Sequence, residues 1–214
     1  MKCTLCDTPL SKKVDEYYFI CSTCGAYVMD RKHYIAPLSE KSRYEEHNND
    51  VNNVRYQKFV LPITEEILKN FKPQHKGLDY GSGTGPVITK MLKDKGYNVK
   101  MYDPYFHPDE SYLNQEYDYI FSCEVFEHFH QPKQEIEKLL NLLKPNGLLL
   151  IKTHLYNRKI NFKNWYYRQD ETHVFIYTAK TMKYIEEKFN LNIIKQDNRI
   201  IVMQKSGKNK LNKI

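Results

Sequence analysis

The chain has 214 residues, of which 41% are hydrophobic, and it carries a formal charge of +7. This length suits one medium-sized α/β domain with room for a small module, and the apolar share is enough for a core. No stretch approaches the roughly 20 apolar residues of a membrane helix and no secretory leader is visible, so we expect a cytoplasmic protein with reduced thiols and no membrane partner.

Two close cysteine pairs come early in the chain: Cys3 and Cys6, then Cys21 and Cys24. Four thiolates from two turns form the tetrahedral ligand set that Zn²⁺ prefers, and the metal stabilises a unit too small for its own core. Disulfides or unrelated thiols are the alternatives. We predict a zinc ribbon and connector over residues 1–36 and a second domain over 37–214. The ribbon either supports the second domain or helps to hold substrate.

Strand-like and helix-like segments alternate along the second domain. A helix is predicted over 62–71, with Thr64 as its cap. The predicted strands that follow are 77–80, 97–102, 117–122, 148–153, 191–195 and 198–204, and the predicted helices are 86–95, 132–143 and 178–189. Residues 144–147 read as a turn. This order predicts a mostly parallel sheet with helices on both faces, and the last two strands are expected to form an antiparallel edge.

The most informative stretch is a glycine-rich turn between a strand and a helix. Its glycines, Gly81, Gly83 and Gly85, let the backbone approach a ligand closely, and the helix start offers N–H groups. The spacing departs from the Gly-x-Gly-x-x-Gly pattern of dinucleotide sites. Asp103 ends the next strand, 18 residues after Gly85, where a carboxylate suits two ribose hydroxyls.

These features resemble the class I methyltransferases that use S-adenosylmethionine. Asp79 and the three glycines match the cofactor loop, Asp103 matches the ribose-binding acid, and the runs 117–129 and 142–149 resemble the fourth- and fifth-strand motifs. The resemblance covers about residues 60–204 and implies a Rossmann-like fold. The cofactor-binding residues that it implies are Asp79, Gly81, Ser82, Gly83, Gly85, Asp103 and Cys123.

The chain departs from that family in one place. Only 14 residues, 104–117, separate the second strand from the fourth, so the usual helix and third strand must be cut short. The residue that normally follows the third strand to read adenine has no clear counterpart. Tyr105 and Phe106 are predicted to cover the adenine face instead.

A second candidate site follows the fourth strand. Glu124, Glu127 and His128 would share one face of a helical turn, and two carboxylates with an imidazole can hold a divalent metal. The triad resembles that of ubiquinone-pathway O-methyltransferases and of small-RNA 2′-O-methyltransferases, which add a histidine from beyond the fifth strand. His173 is the candidate here. In the alternative interpretation no metal binds, and the Glu-His pair caps a helix or orients a loop. His128 or His173 would then be the base instead of a metal ligand.

Residues 154–173 are long and aromatic enough for a substrate lid. Trp165, Tyr167 and Arg168 are expected to contact the acceptor. His154 is another candidate base, although a lone histidine at such a position is more often a structural hydrogen-bonding group. His47 opens a polar run that is either a simple turn or a segment closing over the site. With the ribbon, these runs resemble a group of bacterial ribbon-bearing methyltransferases.

The methyl acceptor is predicted to be a small molecule. The alternative is RNA, bound by the ribbon and by a basic tail. That tail contains Lys205, Lys208, Lys210 and Lys213.

Overall fold

The computed structural model of the protein describes residues 1–46 and 50–207. Its strands and helices follow the predicted alternation from residue 54 onward. In chain order the elements are β1 (Tyr18–Ile20), β2 (Tyr27–Met29), α1 (Pro37–Glu45), α2 (Val54–Asn70), β3 (Lys76–Tyr80), α3 (Val87–Lys93), β4 (Asn98–Tyr102), β5 (Tyr117–Cys123), α4 (Pro132–Leu142), β6 (Leu143–Lys152), α5 (Tyr166–Gln169), β7 (Phe175–Ile176), α6 (Ala179–Lys188), β8 (Leu191–Gln196) and β9 (Ile200–Lys205).

Six strands form the central sheet in the order β4-β3-β5-β6-β9-β8. The first four of these are parallel, while β9 runs antiparallel to both of its neighbours. The prediction of a mostly parallel sheet with an antiparallel edge is therefore confirmed. The carboxyl ends of the four parallel strands meet at one edge of the sheet, where open α/β sheets bind ligands.

The alternation of side chains along the strands builds two apolar layers. Tyr119 and Phe121 of β5 pack in the layer that contains α2 and α3. Ile120, on the opposite face, packs in the layer that contains α4 and α6. Because successive strand residues point to opposite faces, both faces need a helical cover, and both have one, as predicted.

The N-terminal unit joins the second of these layers. Its strands β1 and β2 are antiparallel, and β2 also pairs with β7, placing Val28 opposite Phe175. Tyr18, Val28 and Met29 are buried in the same apolar cluster as Ile185 of α6. The ribbon thus completes the cover of one sheet face.

Helix α2 begins earlier than the sequence pattern predicts. It starts at Val54, where the side chain of Asn53 accepts from the N–H groups of Arg55 and Tyr56, and it continues through Pro62. The expectation that Thr64 caps the helix is wrong, because its buried hydroxyl donates to the Val60 carbonyl (3.2 Å). Proline removes one helical hydrogen bond but keeps a helical φ, so packing can carry the helix past it.

Two shorter features complete the sheet. Between β4 and β5 the only regular element in the described chain is a 3₁₀ turn over Glu110–Asn114. The strand that is third in the class I methyltransferases, expected to be cut short, is therefore not formed by these residues. As a result, β4 lies at the sheet edge. The predicted turn at 144–147 is a bulge inside β6, where Asn146 has a φ of +64°. Among the described residues, no helix is both long and apolar enough to cross a membrane.

Candidate active site and metal centres

A cavity of about 1000 Å³ lies at the carboxyl ends of the parallel strands. The glycine turn, the end of β4 and the end of β5 form one side of it. Residues of α1, α2 and α5 form the other side, together with His128 and His173. The cavity therefore brings together the predicted cofactor loop and the predicted second site.

The glycine turn curves tightly beneath the cavity. Gly81 has a φ of +84°, and a Cβ added there would lie 2.5 Å from a methyl carbon of Val125. Gly83 has a φ of +62°. The N–H groups of Gly81 and Ser82 donate to the Tyr102 carbonyl (2.8 and 3.1 Å), which ties the turn to β4. Only glycine fits the first position without strain, so the turn keeps an open concave backbone surface.

Asp103 lies on the cavity wall and organises the loops around it. One carboxylate oxygen accepts from the Gly83 N–H (2.9 Å). The other accepts from the N–H groups of Tyr105 (2.9 Å) and Phe106 (3.1 Å). Both aromatic residues line the cavity next to it. The acid thus joins the glycine turn to the loop predicted to cover adenine.

Two predicted cofactor residues, Asp79 and Gly85, lie outside the cavity lining. Asp79 is buried behind the turn and accepts from the Thr89 hydroxyl of α3 (2.6 Å). Burial raises the pKa of Asp79 to about 7. The Gly85 carbonyl accepts from the Val87 N–H (2.8 Å) at the start of α3. Both residues hold the turn against α3.

Two further cofactor predictions, Ser82 and Cys123, do line the cavity. The Ser82 hydroxyl lies 3.0 Å from Nδ1 of His107. Burial raises the pKa of the Cys123 thiol, so this residue is a neutral part of the wall at physiological pH.

Glu127, His128 and His173 bring their ligand atoms within 4.8 Å of one another. Nδ1 of His128 donates to the Thr172 carbonyl (3.0 Å), and Nδ1 of His173 donates to the Tyr167 carbonyl (2.6 Å). In the neutral form of each ring, these bonds favour the tautomer in which Nε2 carries no proton. Burial lowers the pKa of His128, which keeps its ring neutral.

Glu127 is fully buried beside the two rings. One of its oxygens accepts from the Thr153 hydroxyl (2.9 Å). In the described part of the chain, no group hydrogen bonds to the other oxygen, Oε1. Burial, followed by the charge of Glu124, raises the pKa of Glu127 well above its ordinary value. A buried carboxylate oxygen without a partner is unfavourable unless a proton or a cation binds to it.

Glu124 does not join this cluster, which corrects the predicted ligand set. Its φ is +53°, and the turn that follows is a short 3₁₀ helix over Phe126–His128, so the expected helical face does not form. Its carboxylate accepts from Nζ of Lys152 (2.8 Å). That lysine is almost fully buried and lies over the Phe59 ring.

The predicted substrate residues fall in different places. Tyr167 lines the cavity, and its hydroxyl lies 2.9 Å from the Thr153 hydroxyl. Trp165 is buried and stacks on Tyr167 (5.0 Å between ring centroids) outside the lining. Arg168 also lies outside the lining and is bound to Asp15 of the ribbon. His47 lies outside the described residues.

His154 has the hydrogen bond expected of it, with its Nδ1 3.2 Å from the Tyr166 hydroxyl. Burial, followed by the nearby charge of Arg199, lowers the pKa of His154 to about 4, so the ring is neutral at physiological pH. A neutral ring bonded to Tyr166 matches the structural role that the sequence predicts.

Sequence reasoning missed the roof of the cavity, which α1 provides. The Tyr44 hydroxyl donates to Glu40 (2.6 Å), and the Tyr105 hydroxyl donates to the same carboxylate (3.3 Å) from the opposite wall. The Tyr44 ring also packs edge-on against His128 (5.1 Å between centroids). The helical spacing of Glu40 and Tyr44 was an available signal, but their common partners come from distant parts of the chain.

The four predicted ribbon ligands lie together. The Sγ atoms of Cys3 and Cys24 are 3.6 Å apart, and those of Cys6 and Cys21 are 3.3 Å apart. Four sulfurs about 2.3 Å from one zinc ion would be about 3.8 Å apart, so the cluster is close to the required size.

The two cysteine turns have the same backbone form. The residue after the second cysteine of each pair is left-handed, with φ of +60° at Asp7 and +76° at Gly25. Each donates its N–H to the carbonyl of the first cysteine, Cys3 (2.9 Å) or Cys21 (3.0 Å). These matched turns aim both thiol pairs at one point.

Comparison with known proteins places this geometry in context. A family model described as a methyltransferase domain matches residues 53–196. No curated protein sequence matches the chain. Among solved structures, the fold is similar to a 1,6-didemethyltoxoflavin N1-methyltransferase from Burkholderia thailandensis with S-adenosylhomocysteine bound. The identity is 12%, the TM-score is 0.58, and the match covers 92% of this chain and 100% of that one.

Two further structures share the fold. A magnesium protoporphyrin IX methyltransferase from Synechocystis, also with S-adenosylhomocysteine bound, has 13% identity and a TM-score of 0.54 over 82% of this chain and 97% of that one. An O-methyltransferase family protein from Burkholderia thailandensis has 12% identity and a TM-score of 0.53 over 79% of this chain. The chain spans 64% of that protein and 54% of a matched carbon methyltransferase. Identities of this size show a shared fold.

Proposed function

The chain belongs to the class I S-adenosylmethionine-dependent methyltransferases, and from this premise we propose that it methylates an oxygen atom of a small-molecule acceptor with the help of a divalent metal. The observation that carries the proposal is the cluster of Glu127, His128 and His173. Its ligand atoms lie within 4.8 Å of one another, and both histidines line the cavity that the glycine turn also lines.

The glycine turn and Asp103 fit the cofactor. A Cβ at Gly81 would collide with the Val125 side chain, so the tight turn requires glycine, and the carboxylate of Asp103 lies at the wall where ribose hydroxyls could donate to it. When bound, the cofactor supplies an electrophilic methyl carbon on its sulfonium. The backbone over residues 81–83 would hold the cofactor against Asp103, and the neutral Cys123 would face it without competing as a nucleophile.

The second cluster fits a divalent metal. Two imidazoles and a carboxylate suit zinc, iron or manganese, and three protein ligands leave positions open for an acceptor oxygen. A bound cation would lower the pKa of an acceptor hydroxyl. The carbonyls of Thr172 and Tyr167 orient the two rings, as partners behind metal-binding histidines commonly do. The unpartnered oxygen of Glu127 would be the third ligand.

The shape of the cavity supports a small acceptor. A volume of about 1000 Å³ is sufficient for the cofactor and a compact second molecule. Helix α1 covers the cavity, and Glu40 of that helix is bonded to Tyr105 across it. A covered site of this kind favours a molecule that can be enclosed over a long polymer.

One of the four lysines on which the RNA alternative rests belongs to the central sheet. Lys205 belongs to β9, and its ammonium group donates to the carbonyls of Leu140 (2.7 Å) and Leu143 (2.6 Å) at the end of α4. Lys205 therefore belongs to the sheet and is not part of the basic tail. The other lysines of that prediction, Lys208, Lys210 and Lys213, lie outside the described residues.

We also propose zinc as the ion of the cysteine cluster, on the basis of the four gathered thiols and their matched turns. This ion would have a structural role, because four protein ligands leave no open position.

The acceptor class is tested by label transfer from methyl-tritiated S-adenosylmethionine into a host-cell extract. The extract is divided afterwards by nuclease and protease treatment. We expect the label in the small-molecule fraction. Label that is lost from polymer on nuclease treatment would instead establish the RNA alternative.

The metal is tested by chelation under conditions that leave the ribbon zinc in place, followed by metal analysis. We expect the transfer rate to fall by at least about 100-fold and to return when Mn²⁺ or Zn²⁺ is added. Full activity in protein that contains only the ribbon zinc would remove the metal from the mechanism. His128 would then remain as the base, through its unprotonated Nε2.

A further inference from the structure

We infer that the ribbon positions the active-site histidines, with Tyr18 and the Asp15–Arg168 pair as the positioning residues. The inference rests on the proposed function, since it takes His128 and His173 to be functional groups. The ribbon then supports the reaction by holding the histidines in position, although no ribbon residue lines the cavity.

The first contact is a hydrogen bond to His173 itself. The Tyr18 hydroxyl donates to the His173 carbonyl (2.6 Å), and Tyr18 is fully buried. The next residue is also held by the ribbon, because the Met29 N–H donates to the Val174 carbonyl (2.9 Å). β2 then pairs with β7 directly afterwards. The backbone from residue 173 to 176 is thus attached to the ribbon at successive positions.

The second contact is an ion pair at the other end of the same segment. Nε and Nη2 of Arg168 both donate to one oxygen of Asp15 (3.0 and 2.8 Å). The other oxygen of Asp15 accepts from the N–H groups of Tyr17 and Tyr18 at the start of β1. Both charged side chains are largely buried. A buried pair of this kind specifies one geometry, since breaking it leaves a buried charge without a partner.

Residues 167–173, between these two contacts, carry both groups that orient the imidazoles. The Tyr167 carbonyl, next to Arg168, accepts from His173, and the Thr172 carbonyl accepts from His128. The ribbon therefore holds the segment that fixes the direction and tautomer of both rings. Since a displacement of about 1 Å at a reactive group can reduce a rate about 100-fold, this support matters for chemistry as well as for stability.

The test uses Tyr18→Phe, which keeps the buried ring and removes the donor. The protein carries its ribbon zinc, and Mn²⁺ is the probe of the second cluster because thiolates prefer zinc to manganese. We expect Mn²⁺ to bind about tenfold more weakly by electron paramagnetic resonance. In metal-free samples we expect the ¹⁵N signals of the His173 ring to move away from the single tautomer of the unsubstituted protein. Binding of S-adenosylhomocysteine should remain within twofold.

Tyr27→Phe is the matched control. Tyr27 is another ribbon tyrosine, and its ring packs against Tyr156 and Phe162 away from His173. It should leave the Mn²⁺ affinity and the histidine signals unchanged. Arg168→Lys tests the second contact, because lysine keeps the charge but cannot reproduce the two donors of the planar guanidinium. It also serves as the test if Tyr18→Phe does not fold.

The outcomes separate the two proposals. Unchanged Mn²⁺ affinity and unchanged histidine signals in both Tyr18→Phe and Arg168→Lys would overturn the positioning role, whatever the second cluster binds. If the unsubstituted protein binds no Mn²⁺, the metal part of the proposed function is in question, and the histidine signals alone decide the positioning role. If His173→Ala transfers methyl groups at the full rate, His173 has no role in the reaction, and the positioning role that depends on it is also wrong.

Discussion

The two clusters of potential metal ligands differ in how they meet the rest of the molecule. The cysteine cluster has four thiols on two matched turns, three of them buried. The second cluster has three ligands, and its histidines line a cavity of about 1000 Å³. The first supplies all four ligands from protein, while the second leaves space for a further molecule. Closed four-ligand sites are structural and open three-ligand sites are catalytic.

The two clusters also differ in how far apart their ligands lie in the sequence. The cysteines lie within 22 residues of one another, so short loops assemble their site. Glu127 and His173 are brought together by the central sheet and by the ribbon, from segments 46 residues apart. A local site can be predicted from spacing, whereas an open site depends on the whole fold.

The largest expected effect comes from Cys21→Ser in the closed cluster. Structural zinc contributes on the order of 10 kcal/mol to the folding of small metal modules, so losing a ligand should unfold the ribbon and expose the apolar face that it covers. We expect the ribbon zinc to be lost and the melting temperature to fall by more than 10 °C, as measured by metal analysis and circular dichroism. Cys123→Ser, a change outside the cluster, should keep its zinc.

Next in size is Glu127→Gln in the open cluster. The amide has nearly the same shape but cannot supply an anionic ligand, so we expect the rate of methyl transfer to fall by at least about 100-fold while the ribbon zinc is retained. The matched change Glu124→Gln should keep the second metal, since that carboxylate is bonded to Lys152. If the two variants behaved alike, the distinction between the two acids would be lost.

A smaller effect is expected from Asp103→Asn, which separates cofactor binding from metal binding. Hydrogen bonds to a charged group contribute about 1.5–3 kcal/mol, so calorimetry should show S-adenosylhomocysteine binding about 10- to 100-fold more weakly. Both metals should remain. Asp109→Asn is the control, because this exposed acid of the same loop pairs with Lys100 (2.5 Å). Unchanged affinity in Asp103→Asn would remove the ribose contact.

The last expected effect concerns Asp79, behind the glycine turn, and its size depends on pH. Its pKa is about 7 in the folded protein and about 3.9 when unfolded, so the free energy of unfolding should fall as pH rises from about 4 to about 7. The loss is at most about 4 kcal/mol. Asn does not titrate, so Asp79→Asn should melt progressively higher than the unsubstituted protein across this range. A constant difference between pH 4 and pH 8 would show that the pKa is not raised.

The parts of the site that sequence could predict are those fixed by local geometry. The glycine turn and Asp103 follow from a strand-turn-helix register, and the structure places them on one cavity wall. The cysteine turns follow from spacing alone. In both cases nearby residues determine the backbone, so no knowledge of distant partners is needed.

Two of the site residues that sequence reasoning misplaced depend on distant partners. Glu124 was expected beside Glu127, but its left-handed backbone and its bond to Lys152 turn it away. Arg168 was expected at the substrate, but Asp15, 153 residues earlier, binds it. The start of α2 was misplaced because a proline inside a helix is normally a reason to begin the helix there.

The pairing of β2 with β7 also affects the order in which the chain folds during synthesis. The cysteine loops are short and can capture zinc soon after they are made. Val28 is paired with Phe175, 147 residues later, and at about 5–20 residues per second that partner follows after about 7–30 s. During that interval the edge of β2 and the apolar side chains of the ribbon are exposed to other chains and to chaperones. The proposed zinc ion would therefore be bound early, whereas the hydrophobic partner of the ribbon is made late.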